Sequence, residues 1–233
     1  MFEELRERVV AANLALVDAG LVELTFGNAS AADRAAGVVA IKPSGVAYDA
    51  LRPEDVPVID LASGELVAGT RRPSSDTPTH LVLYRAFAGA GGIVHTHSPF
   101  ATAWAQALRE LPCFGTTHAD HFHGPVPLTR RLTAAEIEGD YEERTGAVIV
   151  ELFAQRGLDP LDVPAALVAS HGPFAWGPRV EDAVENAIAL EAVAASAFRS
   201  LALAPGLEGI PEELLEKHFA RKHGAAAYYG QPA

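Results

Sequence analysis

Two histidines stand two positions apart in the segment GGIVHTHSPF, residues 91–100. His95 and His97 follow a short apolar run typical of a β-strand, and side chains at positions i and i+2 of a strand point to the same face. Two imidazoles on one face form half of a zinc site. Surface histidines and buried, hydrogen-bonded histidines give the same spacing, so the pair needs further ligands to indicate a metal centre.

A third histidine follows a second apolar segment. His171 lies in VASHGPF, and ligands of α/β proteins collect where such strands end. Three protein ligands with one open coordination position are the pattern of a catalytic metal. Asp76, in RRPSSDTPTH, is a candidate further ligand, although the sequence alone favours a turn or helix N-cap residue there. Three more histidines in THADHFHG are candidates, but a loop of this kind favours surface positions: His118, His121 and His123.

Three short segments carry groups that bind an anion. They combine hydroxyls, an amide and backbone N–H groups of small residues, and one of them adds a lysine. The candidate phosphate ligands are Asn28, Lys42, Ser44, Gly45, Ser74 and Ser75. None of the segments matches a Walker A loop or a dinucleotide-binding fingerprint. Taken singly, each also fits an ordinary turn, but Ser74 and Ser75 directly precede Asp76.

The composition fits one ordinary hydrophobic core. The chain has 233 residues, of which 49% are hydrophobic and 21% charged, and this length favours a single domain. A formal net charge of −12 argues against nucleic acid and anionic membranes as partners. The single cysteine, Cys113, leaves no intramolecular disulfide. The N-terminal segment lacks a signal-peptide core, and no run of about 18 apolar residues stands out, so we expect a cytoplasmic protein.

Helical and strand patterns alternate along the chain. Apolar spacing and end signals predict helices at 2–19, 79–92, 98–110, 133–157, 180–203 and 211–224, with weak points at Gly139 and Gly146. Short β-rich runs predict strands at 21–26, 37–45, 55–61 and 92–97, and two more within 165–177. This alternation is typical of an α/β domain whose sheet is covered by helices. Consecutive strands early in the chain indicate that the sheet is not purely parallel.

Seven segments together resemble one enzyme family. They are TFGNASAAD, IKPSGV, GTRRPSSDTPTH, GGIVHTHSP, GTTHAD, SHGPFAWG and RKHGAAAYYGQ, and the resemblance runs from residue 2 to Gln231. The chain resembles the L-ribulose-5-phosphate 4-epimerases, members of the class II aldolase superfamily with the L-fuculose- and L-rhamnulose-phosphate aldolases. THAD and the tail point to the epimerase branch. The sequence departs from the family at Ala226, usually lysine, at Phe26, commonly tryptophan, and in the extra histidines of THADHFHG.

The resemblance implies a fold and a reaction. The fold is a single class II aldolase-like α/β domain over residues 1–233, with a mixed, largely antiparallel central sheet covered by helices on both faces. The reaction interconverts L-ribulose 5-phosphate and D-xylulose 5-phosphate by breaking and re-forming the C3–C4 bond. The enediolate is stabilised by one divalent metal, Zn²⁺, with Mn²⁺ or Co²⁺ as substitutes. Its ligands by resemblance are His95, His97 and His171, with Asp76 as a further ligand.

The family also implies acid/base groups and an assembly. Epimerisation needs one such group on each face of the aldehyde, and the resemblance assigns these roles to Asp120 and Tyr229. The family forms C4 homotetramers with sites between subunits, so the tail at about 224–233 is expected to complete a neighbour's site. The same resemblance places three further residues in the interface cleft: Glu142, His218 and Arg221. The alternative for Asp120 is a loop carboxylate that caps a turn, and for Tyr229 it is an aromatic packed on the surface. The alternative for the three cleft residues is a solvated helix face.

Alternative functions of two kinds stay open from the sequence. The first kind is another reaction of the superfamily, either an L-fuculose- or L-rhamnulose-phosphate-type aldolase or an epimerase of another pentulose phosphate. The second kind is a non-catalytic protein that binds a metal or a sugar phosphate. The presence of all the metal candidates together with Asp120 and Tyr229 argues against lost catalysis.

Overall fold

The computed structural model describes residues 2–224 and 227–228, and within them the chain forms eight α-helices and seven β-strands. The helices are α1 (Glu3–Asp18), α2 (Thr77–Ala86), α3 (Pro99–Gln106), α4 (Thr116–Ala119), α5 (Ala134–Glu138), α6 (Tyr141–Arg156), α7 (Val180–Leu203) and α8 (Glu212–His223). The strands are β1 (Asn28–Asp33), β2 (Val38–Ile41), β3 (Val58–Asp60), β4 (Leu66–Ala68), β5 (Gly92–His95), β6 (Ala165–Leu167) and β7 (Pro173–Gly177).

The seven strands form one sheet in the order β4-β3-β2-β1-β5-β7-β6. Each of the six pairings between these strands is antiparallel, which confirms the expected largely antiparallel sheet. Strand β5 lies between β1 and β7. The register places Asn28 of β1 opposite His95 of β5, and His95 opposite Phe174 of β7. The end of β5 is therefore flanked by neighbours from two different parts of the chain.

Helices cover both faces of the sheet, as expected. On one face α1, α3 and α7 bury a core that includes Leu16, Trp104 and Leu190. On the other face α2 and α6 pack over Tyr84, Phe153 and Trp176, among others. The neighbouring β5 residues Ile93 and Val94 belong to opposite cores, because side chains alternate across a strand. A strand that is buried on both faces gives the site a rigid base.

Two close approaches next to this strand require glycine. A Cβ on Gly92 would lie 2.2 Å from Cα of Val180, because the start of α7 crosses β5 at that point. A Cβ on Gly27 would lie 2.8 Å from the carbonyl oxygen of His95, and Gly27 has a left-handed φ of 75°. Both glycines let backbone approach the strand that carries His95.

The first predicted strand is wrong. Residues 21–26 form no strand, since Leu24 has a left-handed φ of 54° and a side chain that is 79% exposed. The chain enters the sheet later, at Asn28, so this candidate phosphate ligand begins a strand and does not lie in a turn. The edge strand β4 was not predicted. It has only three residues, and two of them are exposed.

The glycine weak points within 133–157 have different outcomes. The helix breaks near Gly139, between α5 and α6. Gly146 instead lies inside α6, where a Cβ would come within 2.8 Å of the Cβ of Val82 on α2. A tight helix–helix contact explains that glycine, although it costs helix propensity.

One described helix, α7, is long and apolar enough to cross a membrane by length and composition alone. It packs against β5 and β7, and Ala187, Leu190 and Ala194 are among its buried residues. The long apolar stretch is accounted for by the position of α7 as the helix that covers the centre of the sheet.

Candidate active site

Three histidines come together at the end of β5. His95 is the last residue of that strand, His97 follows it, and His171 lies in the turn between β6 and β7. One ring nitrogen from each lies within 4.8 Å of the others, and the Nε2 atoms of His95 and His97 are 3.1 Å apart. We expected a strand over residues 92–97 that places His95 and His97 on the same face, and this is wrong in detail. The strand stops at His95, and His97 is exposed in the segment before α3.

The ring of His95 is fixed in one tautomer. Its Nδ1 lies 2.9 Å from the carbonyl oxygen of Pro173, and because a carbonyl only accepts, Nδ1 must carry the proton. The ring also stacks on Phe174, with 4.1 Å between centroids. Burial, with a smaller effect of His171, holds the pKa of His95 well below its ordinary value. His95 is therefore neutral, and its Nε2 lone pair faces His97.

A strained turn presents His171. Ser170, just before it, has a left-handed φ of 62°, and the turn is closed by the Val168 N–H, which donates to the Gly172 carbonyl at 2.9 Å. Burial is the main cause that lowers the pKa of His171, followed by the proximity of His97. The Nδ1 atom of His171 lies 3.4 Å from the hydroxyl of Tyr141. This arrangement keeps a second imidazole neutral.

Asp76 occupies the N-cap position of α2, as its alternative reading predicted, but its side chain makes no capping hydrogen bond. Instead, its Oδ2 accepts a hydrogen bond of 2.6 Å from Nδ2 of Asn28. Asp76 lies outside the three-histidine group but lines the same cavity. Its role as a metal ligand remains a prediction.

The donor set fits a divalent metal. Neutral imidazoles are preferred ligands of Zn²⁺ and neighbouring first-row ions, and a carbonyl that orients a ligating histidine is a usual outer partner. Among the residues that the structure describes, the three histidines are the only group of three or more His, Cys, Asp or Glu side chains placed to hold a metal.

The predicted phosphate residues line the same cavity, which has a volume of about 340 Å³. All six are present: Asn28, Lys42, Ser44, Gly45, Ser74 and Ser75. Their segments are joined by hydrogen bonds, since the Ser74 N–H donates to the Lys42 carbonyl at 3.1 Å and Asn28 Nδ2 donates to Ser74 Oγ at 3.2 Å. The cavity thus joins the histidines to a polar pocket with one cation.

Asp120 is not brought to this cavity by its own chain. Its carboxylate accepts hydrogen bonds from Arg221 at 2.9 and 2.6 Å and lies 3.1 Å from Nδ1 of His218. Burial raises the pKa of Asp120, but the bonds from Arg221 and His218 outweigh it and lower the pKa overall. Both partners belong to α8, the helix that precedes the tail. Tyr229, the other predicted acid/base residue, lies outside the described residues.

The extra histidines of THADHFHG have structural partners. His118 is buried and its Nε2 donates to the Gly124 carbonyl at 2.8 Å. His123 donates to Glu216 at 2.6 Å, and His121 lies 3.3 Å from the ammonium of Lys222. They hold their loop together and dock α8 on it, so they are not the alternative metal site.

Two tyrosines at the site were missed from the sequence. Tyr141 reaches His171, and Tyr48 donates to the carbonyls of Phe26 and Gly27 at 2.7 and 2.9 Å. No spacing signal marks either one, because each meets its partner only through the tertiary fold. Tyr48 stands six residues after Lys42, and that proximity was the one available hint.

Comparison with known proteins defines the class. The class II aldolase and adducin N-terminal domain family matches residues 7–198. The chain belongs to this family, whose class II aldolases depend on a divalent metal and bind sugar phosphates.

Individual members of the family resemble the chain over nearly its whole length. Two proteins named L-ribulose-5-phosphate 4-epimerase UlaF, from Salmonella paratyphi A (strain ATCC 9150 / SARB42) and Salmonella typhi, are each 50% identical over 229 residues, covering 98% of this chain and 99% of theirs. A solved L-fuculose 1-phosphate aldolase superposes with a TM-score of 0.77 at 24% identity, covering 92% of this chain and 94% of its own. At that identity the superposition speaks to the fold alone.

The three-histidine site predicts the effect of removing a ligand. His97→Asn should lower metal affinity by more than about 100-fold, because even outer partners of metal sites are worth 10- to 100-fold. Metal content after dialysis against a buffered chelator is the measurement. The matched control is His123→Asn, since His123 contacts Glu216 rather than the cluster. Equal metal retention by His97→Asn and wild type would contradict the site.

His118 predicts a pH dependence of stability. Burial lowers its pKa from 6.5 to about 4, so between these values the unfolded chain binds more protons than the folded chain. Stability is therefore lost as the pH falls below the unfolded pKa, by about 2 kcal/mol at pH 5 from this residue. His118→Gln should lose about that much less free energy of unfolding between pH 7 and pH 5.

Chemical denaturation at each pH measures this difference. The matched control is His223→Gln, the same change at an exposed position of α8, which should follow the wild-type curve. A His118→Gln curve parallel to wild type would show that the buried imidazole does not set this slope.

Proposed function

We propose that this protein is an L-ribulose-5-phosphate 4-epimerase that uses one divalent metal, Zn²⁺, for which Mn²⁺ or Co²⁺ can substitute. The observation that carries the proposal is a single cavity in which three histidines, two of them held neutral by burial, meet a buried lysine and hydroxyl-bearing loops. The identity of 50% to named epimerases over nearly the whole chain supports the same reaction. A cytoplasmic location stays a prediction.

The reaction begins at the C4 hydroxyl. A base removes that proton, the C3–C4 bond breaks, and its electron pair passes into the enediolate of dihydroxyacetone while C4 becomes the aldehyde of glycolaldehyde phosphate. The chemistry that a metal bound by His95, His97 and His171 supplies is Lewis-acid stabilisation of the enediolate charge. Asp76, hydrogen-bonded to Asn28 at the cavity wall, is the proposed further ligand.

The phosphate site has a second task in this reaction. In a ketopentose 5-phosphate the phosphate leaves with the aldehyde, so the proposed phosphate residues hold the fragment that must rotate before it adds back. Lys42 supplies the charge, and the hydroxyls and N–H groups of the Ser44–Gly45 and Ser74–Ser75 loops supply donors. An anchored phosphate lets the aldehyde group turn without release, which separates an epimerase from an aldolase.

The acid/base pair is proposed to be Asp120 and Tyr229. Hydrogen bonds from Arg221 and His218 keep the carboxylate of Asp120 ionised and oriented. In this state it can accept a proton from one face of the substrate. Asp120 is bonded to α8, the helix that precedes the tail, and lies outside its own chain's cavity. The proposed site therefore combines the cavity of one subunit with Asp120 and the tail of a neighbour. Glu142, which follows Tyr141 at the start of α6, is a proposed residue of the same cleft.

The shared site predicts a C4 homotetramer and complementation between defective variants. His97→Asn should be inactive and Asp120→Asn should epimerise about 100-fold more slowly, whereas hybrids from co-expression should recover about a quarter of wild-type activity. In a ring with head-to-tail interfaces, random mixing gives that fraction of sites with both halves intact. Light scattering gives the mass, and differently tagged chains allow hybrids to be purified. Active monomers, or hybrids without activity, would contradict the shared site.

The proposed acid/base pair predicts a face-specific defect. Tyr229→Phe should slow epimerisation by about 100-fold, the scale of one positioned acid/base group, while cleavage of one epimer persists because Asp120 still serves its face. Asp120→Asn should spare the opposite epimer. The measurement is release of glycolaldehyde phosphate from L-ribulose 5-phosphate and from D-xylulose 5-phosphate, alongside their interconversion, with metal saturating.

The matched control for these variants is Tyr228→Phe, which removes the neighbouring hydroxyl of an exposed tail residue. It should epimerise like wild type. If both Tyr229→Phe and Asp120→Asn also epimerise like wild type, these two residues are not the pair. Rapid release of free aldehyde by the wild-type protein would instead favour an aldolase.

A further inference from the structure

Lys42 is an unusual cation for a phosphate site, since it is only 2% exposed. Burial lowers the pKa of its ammonium, and no carboxylate contributes to that shift. Within the described part of the chain, the close contact recorded for the ammonium is the ring of Tyr48, whose centroid lies 4.6 Å away. A buried ammonium without an ion-pair partner is costly unless something else stabilises its charge.

Tyr48 joins two walls of the cavity. It begins the 3-10 turn Tyr48–Ala50 and is 6% exposed. Its hydroxyl lies 2.7 Å from the Phe26 carbonyl and 2.9 Å from the Gly27 carbonyl, so one proton is shared between two acceptors. Those carbonyls belong to the segment that leads into Asn28, and Gly27 packs against His95. One side chain therefore contacts both the lysine and the Phe26–Gly27 segment.

We infer that Tyr48 is the positioning residue of the phosphate site: its ring face holds the Lys42 ammonium toward the cavity, and its hydroxyl fixes the Phe26–Gly27 wall. The inference rests on the proposed function, because the anion in question is the phosphate of the substrate. Tyr48 does not itself belong to the residues that line the cavity. It acts on the ligand through Lys42 and through the backbone of its neighbours.

An aromatic partner suits this task better than a carboxylate does. An aspartate beside Lys42 would neutralise the ammonium and repel the dianionic phosphate at short range. The face of an aromatic ring attracts the cation through its quadrupole and carries no net charge. The lysine thus stays charged when buried, while its charge remains available to an incoming anion.

The two halves of the tyrosine can be tested separately. Tyr48→Phe keeps the ring and removes the hydroxyl, so it should weaken phosphate binding only a few-fold through the loosened wall. Tyr48→Leu removes the ring, so it should weaken phosphate binding about tenfold, the loss expected for a desolvated cation–π contact. It should also shift the alkaline limit of phosphate binding to lower pH, because the ring favours the charged lysine.

The experiment is calorimetric titration of inorganic phosphate into the full-length protein, with metal content matched among variants. Titrations run upward from about pH 9, where inorganic phosphate is almost entirely dianionic, so that a change of the phosphate charge does not mimic the titration of Lys42. Lys42→Met defines the loss expected when the cation is absent. The matched control is Phe100→Leu, which removes a ring beneath Arg199 at 5.2 Å, outside this cavity, and should bind phosphate like wild type.

A shift of the alkaline limit in Tyr48→Leu but not in Tyr48→Phe supports the inference. Should Tyr48→Leu fail to fold, pentafluorophenylalanine at position 48 keeps the shape, withdraws charge from the ring face, and should give the same shift. Weakened binding at every pH with an unmoved limit would mean a merely structural role and overturn the inference.

The remaining outcomes separate the inference from the proposed function. Wild-type affinity and pH profile in the Tyr48 variants, with binding lost in Lys42→Met, would refute the role of Tyr48 and leave the phosphate site standing. Equal phosphate binding by Lys42→Met and wild type would refute the phosphate site, and the role of Tyr48 would fall with it.

Discussion

The hydrogen bond between Nδ1 of His95 and the carbonyl of Pro173 is the contact on which the site depends. It fixes Nδ1 as the protonated nitrogen and Nε2 as the unprotonated nitrogen of a fully buried imidazole. Burial lowers the pKa of this imidazole and keeps it neutral. Both partners of this hydrogen bond belong to the sheet: β5 carries His95, and β7 supplies the carbonyl and the stacked Phe174. On the other side of β5, strand β1 places Asn28 opposite His95. Glycine is required at positions 27 and 92 because neighbouring backbone approaches β5 there more closely than a side chain would allow. A ligand set with this much support loses little entropy when it binds.

The cavity does not share the strong negative charge of the whole protein. The chain carries a formal net charge of −12, yet the cavity lining holds one buried lysine against one carboxylate, that of Asp76, together with imidazoles and backbone donors. Interactions at a few ångströms in a partly desolvated cavity outweigh a diffuse surface field that salt screens within about 10 Å. An acidic protein can therefore hold an acidic substrate. Among the described residues, the buried lysine contacts an aromatic ring rather than a carboxylate.

The sequence was informative where chemistry depends on short spacing and uninformative where it depends on distant partners. His95 and His97, the hydroxyl loops and the bounds of α7 could be predicted because each is written within a few consecutive residues. The reason given for the histidine pair was only partly right, since the strand ends between them. The false strand at 21–26 arose because a left-handed Leu24 leaves no mark on apolar patterning. Tyr48 and Tyr141 escaped notice because their partners are set by how loops meet across the sheet.

The position of Asp120 bears on the proposed shared site. Its carboxylate is held by two residues of α8, and α8 has no fully buried residue of its own. That helix is docked mainly by polar contacts, among them His123 with Glu216 and Lys222 with Glu185. Asp120 itself caps α4, but the helix α8 that orients its carboxylate is docked partly by exposed ion pairs, which are individually worth little. Packing of α8 against a neighbouring subunit would remove that weakness, so the proposed shared site would make assembly and correct placement of Asp120 one event.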